Sequence, residues 1–159
     1  MNAKLNADLA HLLRERRTAA LGTLRDGAPF VSMVPYAIAA DGSGFVVHVS
    51  KLAAHTKDML ADARVSLLVA EAEGRGKSPQ ALARVSILGQ ARRIPASSPD
   101  QSGLRAAYLA RFPEQEQMFG FADFSIFVIR PVSARYVAGF GEAHSVSAET
   151  MTQLLQKGG

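Results

Sequence analysis

Phe45-Val46-Val47-His48-Val49-Ser50-Lys51-Leu52-Ala53-Ala54-His55-Thr56-Lys57-Asp58-Met59-Leu60 is the stretch in which a β-branched run turns into a helical pattern. Apart from His48, residues 45–49 are β-branched or aromatic, and they follow the turn-prone Asp41-Gly42-Ser43-Gly44; they predict a strand entered from a hairpin. Ser50 occupies the expected N-cap position. Its hydroxyl would satisfy one orphan amide of the first helical turn, and those amides, with the positive end of the helix dipole, make a natural anion site. Helical spacing then puts Leu52, His55, Thr56 and Met59 on one face, so an imidazole and a hydroxyl interrupt a stripe expected to be apolar. Lys51 and Lys57 bracket the turn and offer cationic contacts to a phosphate. A capped amphipathic helix with a satisfied core histidine accounts for the same spacing equally well.

Upstream, Leu5, Leu9, Leu12 and Leu13 recur at helical spacing, which predicts an amphipathic helix over 5–17 with Asn6 or Asp8 serving its N-terminal end. Residues 18–24 and 29–39 flank Asp26-Gly27, a dipeptide that supplies the positive φ of a tight hairpin. With 45–49 they make three consecutive antiparallel strands, the start of a barrel, and Pro35 marks an edge or a bulge. Downstream, a helix over 52–62 leads to a short strand over 65–70 and an exposed Gly-rich connection over 71–79. Residues 81–94 read as a long strand bending at Gly89. A helix from 98 to 112 is stopped by Pro113, a short one follows, and strands over 121–130 and 133–138 are separated by Pro131. Gly139-Phe140-Gly141 ends the sheet, and residues 147–155 form a last helix.

At 159 residues, 48% apolar and 20% charged, the chain suits one globular domain over 1–159. The absence of cysteine excludes disulfides, thiolate metal sites and cysteine nucleophiles. No apolar run approaches the ~20 residues of a membrane span, and the N-terminus leads into a charged helix, so a cytoplasmic protein is the simplest expectation. The net charge of +4 is spread among acids without a dense basic block or aromatic recognition motif, which argues against nucleic acid and suits an anionic small ligand.

The strand, the run Ser50-Lys51-Leu52-Ala53-Ala54-His55-Thr56-Lys57, and Ala63-Arg64-Val65-Ser66-Leu67-Leu68-Val69 together resemble the FMN-binding split-barrel superfamily of pyridoxamine 5′-phosphate oxidase. The nearest branch is the haem-utilisation and CREG-like group. The resemblance covers residues 7–146 and takes in Asp26-Gly27-Ala28-Pro29 and Gly139-Phe140-Gly141. It implies a mainly β fold, a six-stranded antiparallel split barrel with flanking helices, that binds FMN in a site shared between the subunits of a homodimer. On that reading Ser32, Met33 and Val34 lie along the isoalloxazine and ribityl chain. Ser50, Lys51, His55, Thr56 and Lys57 share the phosphate, and Val49 and Leu52 also line the cofactor. Arg84 corresponds to a basic residue that approaches the phosphate, although a surface arginine fits as well, and Gln90 is the other notable polar group of the same strand.

Hydrolytic machinery is weakly supported. The four histidines, His11, His48, His55 and His144, form no close metal-binding pair, no metal site is expected, and there is neither a Gly-x-Ser-x-Gly elbow nor a dinucleotide fingerprint. A flavin carries its own redox chemistry, so the missing catalytic dyad does not count against a flavoenzyme. The resemblance therefore implies an FMN-dependent oxidoreductase acting on a small molecule. Its alternatives are a module that binds or stores FMN or haem without turnover, and a haem-degrading enzyme. In the nearest branch haem ligation goes with a C-terminal extension that a chain ending at Gly159 is expected to lack; His144 is a substitute ligand, although a lone histidine is more often structural.

Overall fold

The computed structural model describes residues 1–156; the last three positions of the expected 1–159 unit lie outside the described residues. Helix α1 (Ala3–Glu15) is capped by Asn2, whose side chain accepts the Leu5 amide at 2.9 Å, so the cap lies upstream of the expected Asn6 and Asp8. Leu9 and Leu13 of its apolar face are fully buried, each stabilising the fold by about 1.5–3 kcal/mol.

Strands β1 (Thr18–Arg25) and β2 (Ala28–Pro35) form the expected hairpin. Asp26 and Gly27 both take positive φ, 51° and 79°, as a two-residue turn between right-twisted strands requires. Next come β3 (Ala37–Ile38), β4 (Phe45–Ser50), helix α2 (Ala54–Ala61), β5 (Arg64–Ala70), β6 (Arg84–Ile94) and helix α3 (Gln101–Arg111). A 3₁₀ segment, Pro113–Gly120, leads into β7 (Phe124–Gly139), β8 (Glu142–Ser147) and helix α4 (Ala148–Gln156).

The sheet runs in the order β2-β1-β5-β6-β7-β4-β3, all antiparallel, with β8 on β7. Since β2 pairs with β1 while β3, just across Tyr36, pairs with β4, the path closes into a barrel. Tyr36 is fully buried, donates its hydroxyl to the Leu13 carbonyl at 2.7 Å, and turns its amide to Arg17 rather than to a strand. The split-barrel architecture is the expected one, but it has eight strands and not six. Pro35-Tyr36 breaks the second strand into two, and β8 extends the sheet beyond the expected stop at Gly139-Phe140-Gly141.

Pro131 does not divide β7. At that point β7 exchanges one neighbour for another, since β4 pairs only up to Ile129 and β8 only from Ser133, so a residue without an N–H costs no ladder bond on that edge. Opposite it, β6 shifts register between Leu88 and Gly89, the bend the glycine predicted. The barrel interior holds Leu21, Phe45, Val47, Leu67, Ile87 and Phe127. A second core, including Val46, Ile126, Leu104, Tyr108 and Phe112, lies between the outer face of β4 and β7 and helix α3. Strand β4 is buried on both faces, which is why its apolar run is nearly continuous.

Candidate functional site

Helix α2 is fastened to the inward-facing side of β1, past Leu21, by one carboxylate. Asp58 accepts the Thr23 hydroxyl at 2.8 Å and Nε and Nη2 of Arg25 at 3.1 and 3.2 Å. Thr23 and Asp58 are buried, and the Arg25 guanidinium covers the Phe30 ring at 3.8 Å. These contacts turn Met59 and Thr56 inward and leave Lys57 and Leu60 outside. His55 stands half-buried at the helix start, with Nδ1 3.1 Å from Oγ of Ser32 on β2. Burial holds its pKa below the usual histidine value, against the opposing charge of Asp58, so the imidazole is neutral at pH 7. In the tautomer that carries its proton on Nδ1 and donates it to Ser32, the ring presents the Nε2 lone pair, the arrangement that prepares a histidine for a metal ion.

The strand-to-helix turn differs from the expectation. The N-cap of α2 is Ala53, which makes no side-chain cap bond, and not Ser50. The Ser50 hydroxyl donates to Asp123 at 2.9 Å and accepts the Leu52 amide at 3.1 Å, while the Lys51 amide reaches the Asp123 carbonyl at 2.6 Å. The cap hydroxyl is therefore spent, and a carboxylate stands where a phosphate was expected. Leu52 precedes the helix and is 79% exposed, so it joins no apolar stripe with Met59. Lys51 and Lys57 are exposed and take part in no ion pair among the described residues. The Thr56 hydroxyl is buried without a hydrogen-bond partner among the described residues.

Of the other expected residues, Val34 and Val49 pack inside the barrel, and Met33 points outward at 63% exposure. Arg84 donates to the carbonyls of Gln80 and Leu82. It lies at the start of β6, whereas α2 runs into β5 beside Ala91, where the Ala63 carbonyl accepts the Ala91 amide. That separation along β6 is roughly 20 Å. Gln90 is exposed between Arg64 and Arg130 on the neighbouring strands. The structure thus gathers Ser32, Ser50, Lys51, Leu52, His55, Thr56 and Lys57 around one end of α2 and leaves Arg84 and Gln90 elsewhere on the same chain.

Asp123 and the Thr23–Arg25–Asp58 anchor were not singled out from the sequence. Only Asp58 carried a signal, three residues after His55 on the same helical side. The remaining histidines are otherwise engaged. His48 stacks on Phe119 at 3.8 Å and 3°. His144 has a buried Nε2 without a hydrogen bond among the described residues, 3.5 Å from Glu142, and His11 faces Glu15 at the surface. Among the described residues no three His, Asp or Glu side chains converge as a metal site, and no helix is long and apolar enough to cross a membrane. What the arrangement offers chemically is one neutral, oriented imidazole beside two free ammonium groups.

A family model described as pyridoxamine 5′-phosphate oxidase matches residues 5–138. The chain is 40% identical over 124 residues to a chloroplastic non-canonical haem oxygenase, HOZ, of Arabidopsis thaliana, covering 78% of this chain and 36% of that one. It therefore spans about a third of that relative's length. It is 26% identical over 157 residues to the haem oxygenase HutZ of Vibrio cholerae, covering 98% and 88% of the two chains. The solved structure of a haem binding protein from Mycobacterium smegmatis superposes with a TM-score of 0.85 at 27% identity, over 96% of this chain and 62% of that one. These relatives are named for haem, which overturns the FMN implied by the wider family resemblance. The spent Ser50 hydroxyl and the Asp123 carboxylate beside it agree with that correction, because both disfavour a phosphate dianion there.

Proposed function

Because the chain belongs to the pyridoxamine 5′-phosphate oxidase family, in its haem-utilisation branch, we propose that it binds haem and degrades it. The observation that carries this reading is His55, a neutral imidazole whose Nδ1 is held by Ser32 and whose Nε2 is left for an iron. His144 is the weaker candidate, since its Nε2 is enclosed and an iron could reach it only after β8 moved. Lys51 and Lys57 stand to either side of His55 and would meet the propionate carboxylates of a haem laid against α2. Bound haem would supply the oxygen-activating redox chemistry. The chain would hold it, fix the ring of the ligating histidine through Ser32, and anchor α2 through Asp58.

The proposal includes a homodimer. Val31, Met33, Leu68 and Leu88 project from the outer face of β2, β5 and β6 at 67, 63, 42 and 58% exposure, with Gly22 and Ser66 between them in register. An apolar sheet face of this kind suits a second copy. Arg84 alternates onto the same face of β6 as Leu88, so it would lie beside that seam. Light scattering should give about twice 16.9 kDa, and Met33→Glu should return the mass to that of one chain.

The deciding experiment is a haem titration followed by addition of a reductant in air. Saturation of a Soret band at one haem per chain supports binding. Its decay with release of carbon monoxide supports degradation, and a stable band under reductant leaves a storage protein. No saturable Soret band overturns the reading altogether.

A further inference from the structure

A cleft of about 900 Å³ opens where the start of α3 stands over β6, β7 and the hairpin before β4. Its floor is apolar: Ile94, Leu104 and Val128 are all buried. Its rim is not. Strand alternation puts Gln90 and Arg92 of β6 on the cleft side, and Arg130 of β7 is the cross-strand partner of Gln90. Neither guanidinium makes a hydrogen bond or an ion pair with any group among the described residues. The two acids at the rim are Asp41 and Asp100. Asp41 turns its carboxylate back onto the Ser43 amide at 2.9 Å, and its pKa is lowered by the hydrogen bonds from Ser43, so it is ionised and locally satisfied.

We propose that this cleft is a second binding site, distinct from the His55 face, for a small organic anion that combines an apolar body with one carboxylate or similar group. The reasoning is the juxtaposition itself. Two uncommitted arginines at diagonal positions on adjacent strands, roughly 7–8 Å apart at the backbone, can turn their long side chains onto one planar anion. Behind them lies a buried apolar floor, which a bare inorganic ion would not use. The mixed character, mostly apolar lining with a few convergent polar groups, is what ligand pockets of this size share. Asp41 and Asp100 on the opposite rim repel a second negative charge, so the ligand carries its charge at one end.

The test uses 2-naphthoate, its neutral amide and inorganic phosphate, each titrated into the full chain with amide NMR shifts as readout. 2-Naphthoate should move the amides of Gln90, Arg92, Ser102 and Gly103 saturably, with the amide analogue and phosphate each binding at least tenfold more weakly. Arg92→Gln and Arg130→Gln should each weaken 2-naphthoate tenfold or more with the rest of the spectrum unchanged. Gly103→Leu should block the cleft, since a Cβ at Gly103 meets nothing within 4 Å and the helix accepts it without strain. The proposal is overturned if 2-naphthoate causes no saturable shift in the cleft, if the amide or phosphate binds equally well, or if well-dispersed spectra of the variants show undiminished binding.

Discussion

The Thr23 hydroxyl lies 2.8 Å from the buried carboxylate of Asp58, so a strand side chain and a helix side chain settle where α2 sits. The hydrogen bonds from Arg25 hold the Asp58 pKa below the usual carboxylate value, with Thr23 adding to them and burial opposing. A depressed folded pKa means that this contribution to stability is present above the unfolded value near 4 and is lost as pH falls through the folded one. Asp58→Asn should therefore lower the urea midpoint at pH 7, and the gap from the parent should narrow below about pH 4. A gap independent of pH would show that the charge plays no part in docking α2.

His55 and Ser32 make separable predictions within the haem reading. His55→Ala should weaken haem at least tenfold and change the Soret position, and added imidazole should restore the band. Ser32→Ala keeps the ligand but frees the ring, so the expected loss in affinity is about tenfold, the low end for removing a group that orients a metal-bound histidine. An unchanged Soret band in His55→Ala would take the iron away from α2.

Gly44 tests the closure of the barrel. A Cβ there would stand 2.3 Å from the Ile129 carbonyl oxygen and 2.9 Å from its carbon, both backbone atoms that cannot step aside. Gly44→Ala should cost at least about 2 kcal/mol, the range for overpacking a filled core. Equilibrium unfolding in urea measures it, and a cost below about 0.5 kcal/mol would mean that β4 shifts freely on β7.

Much of this architecture was legible because the signals were local. Asp26-Gly27 announced its hairpin, Gly89 its bend, and the β-branched run at 45–49 its strand. What escaped the sequence depends on contacts between distant positions. Pro131 reads as a breaker unless one knows that β7 changes neighbours there, and Tyr36 splits a strand only because its hydroxyl and amide are claimed by Leu13 and Arg17. At the candidate site, Ser50 has the right residue type at the right spacing for a cap. Asp123, 73 residues downstream, takes its hydroxyl instead, and nothing in the local pattern encodes that choice.

His48 supplies a pH-dependence that is independent of any ligand. Its ring lies against Phe119 at 3.8 Å, with Tyr108 and Phe124 on its other sides, and the Arg105 guanidinium caps the same phenylalanine at 5.0 Å. Burial, assisted by the Arg105 charge, pulls the imidazole pKa down to about 4. The unfolded chain protonates near pH 6.5. Between those values the unfolded state takes up a proton that the folded state refuses, so this group's stabilisation is complete above pH 6.5 and declines as pH falls toward 4, by up to one proton in the slope. His48→Phe keeps an aromatic ring in the stack and removes the titration. The urea midpoint of the parent should fall between pH 7 and pH 4.5 more steeply than that of the variant, His55 being common to both and cancelling in the comparison. The His48 ring resonance should hold its neutral shift until the pH nears 4. Parallel midpoint curves for the two proteins, or a ring that titrates near 6.5, would place His48 in water instead of in the aromatic stack.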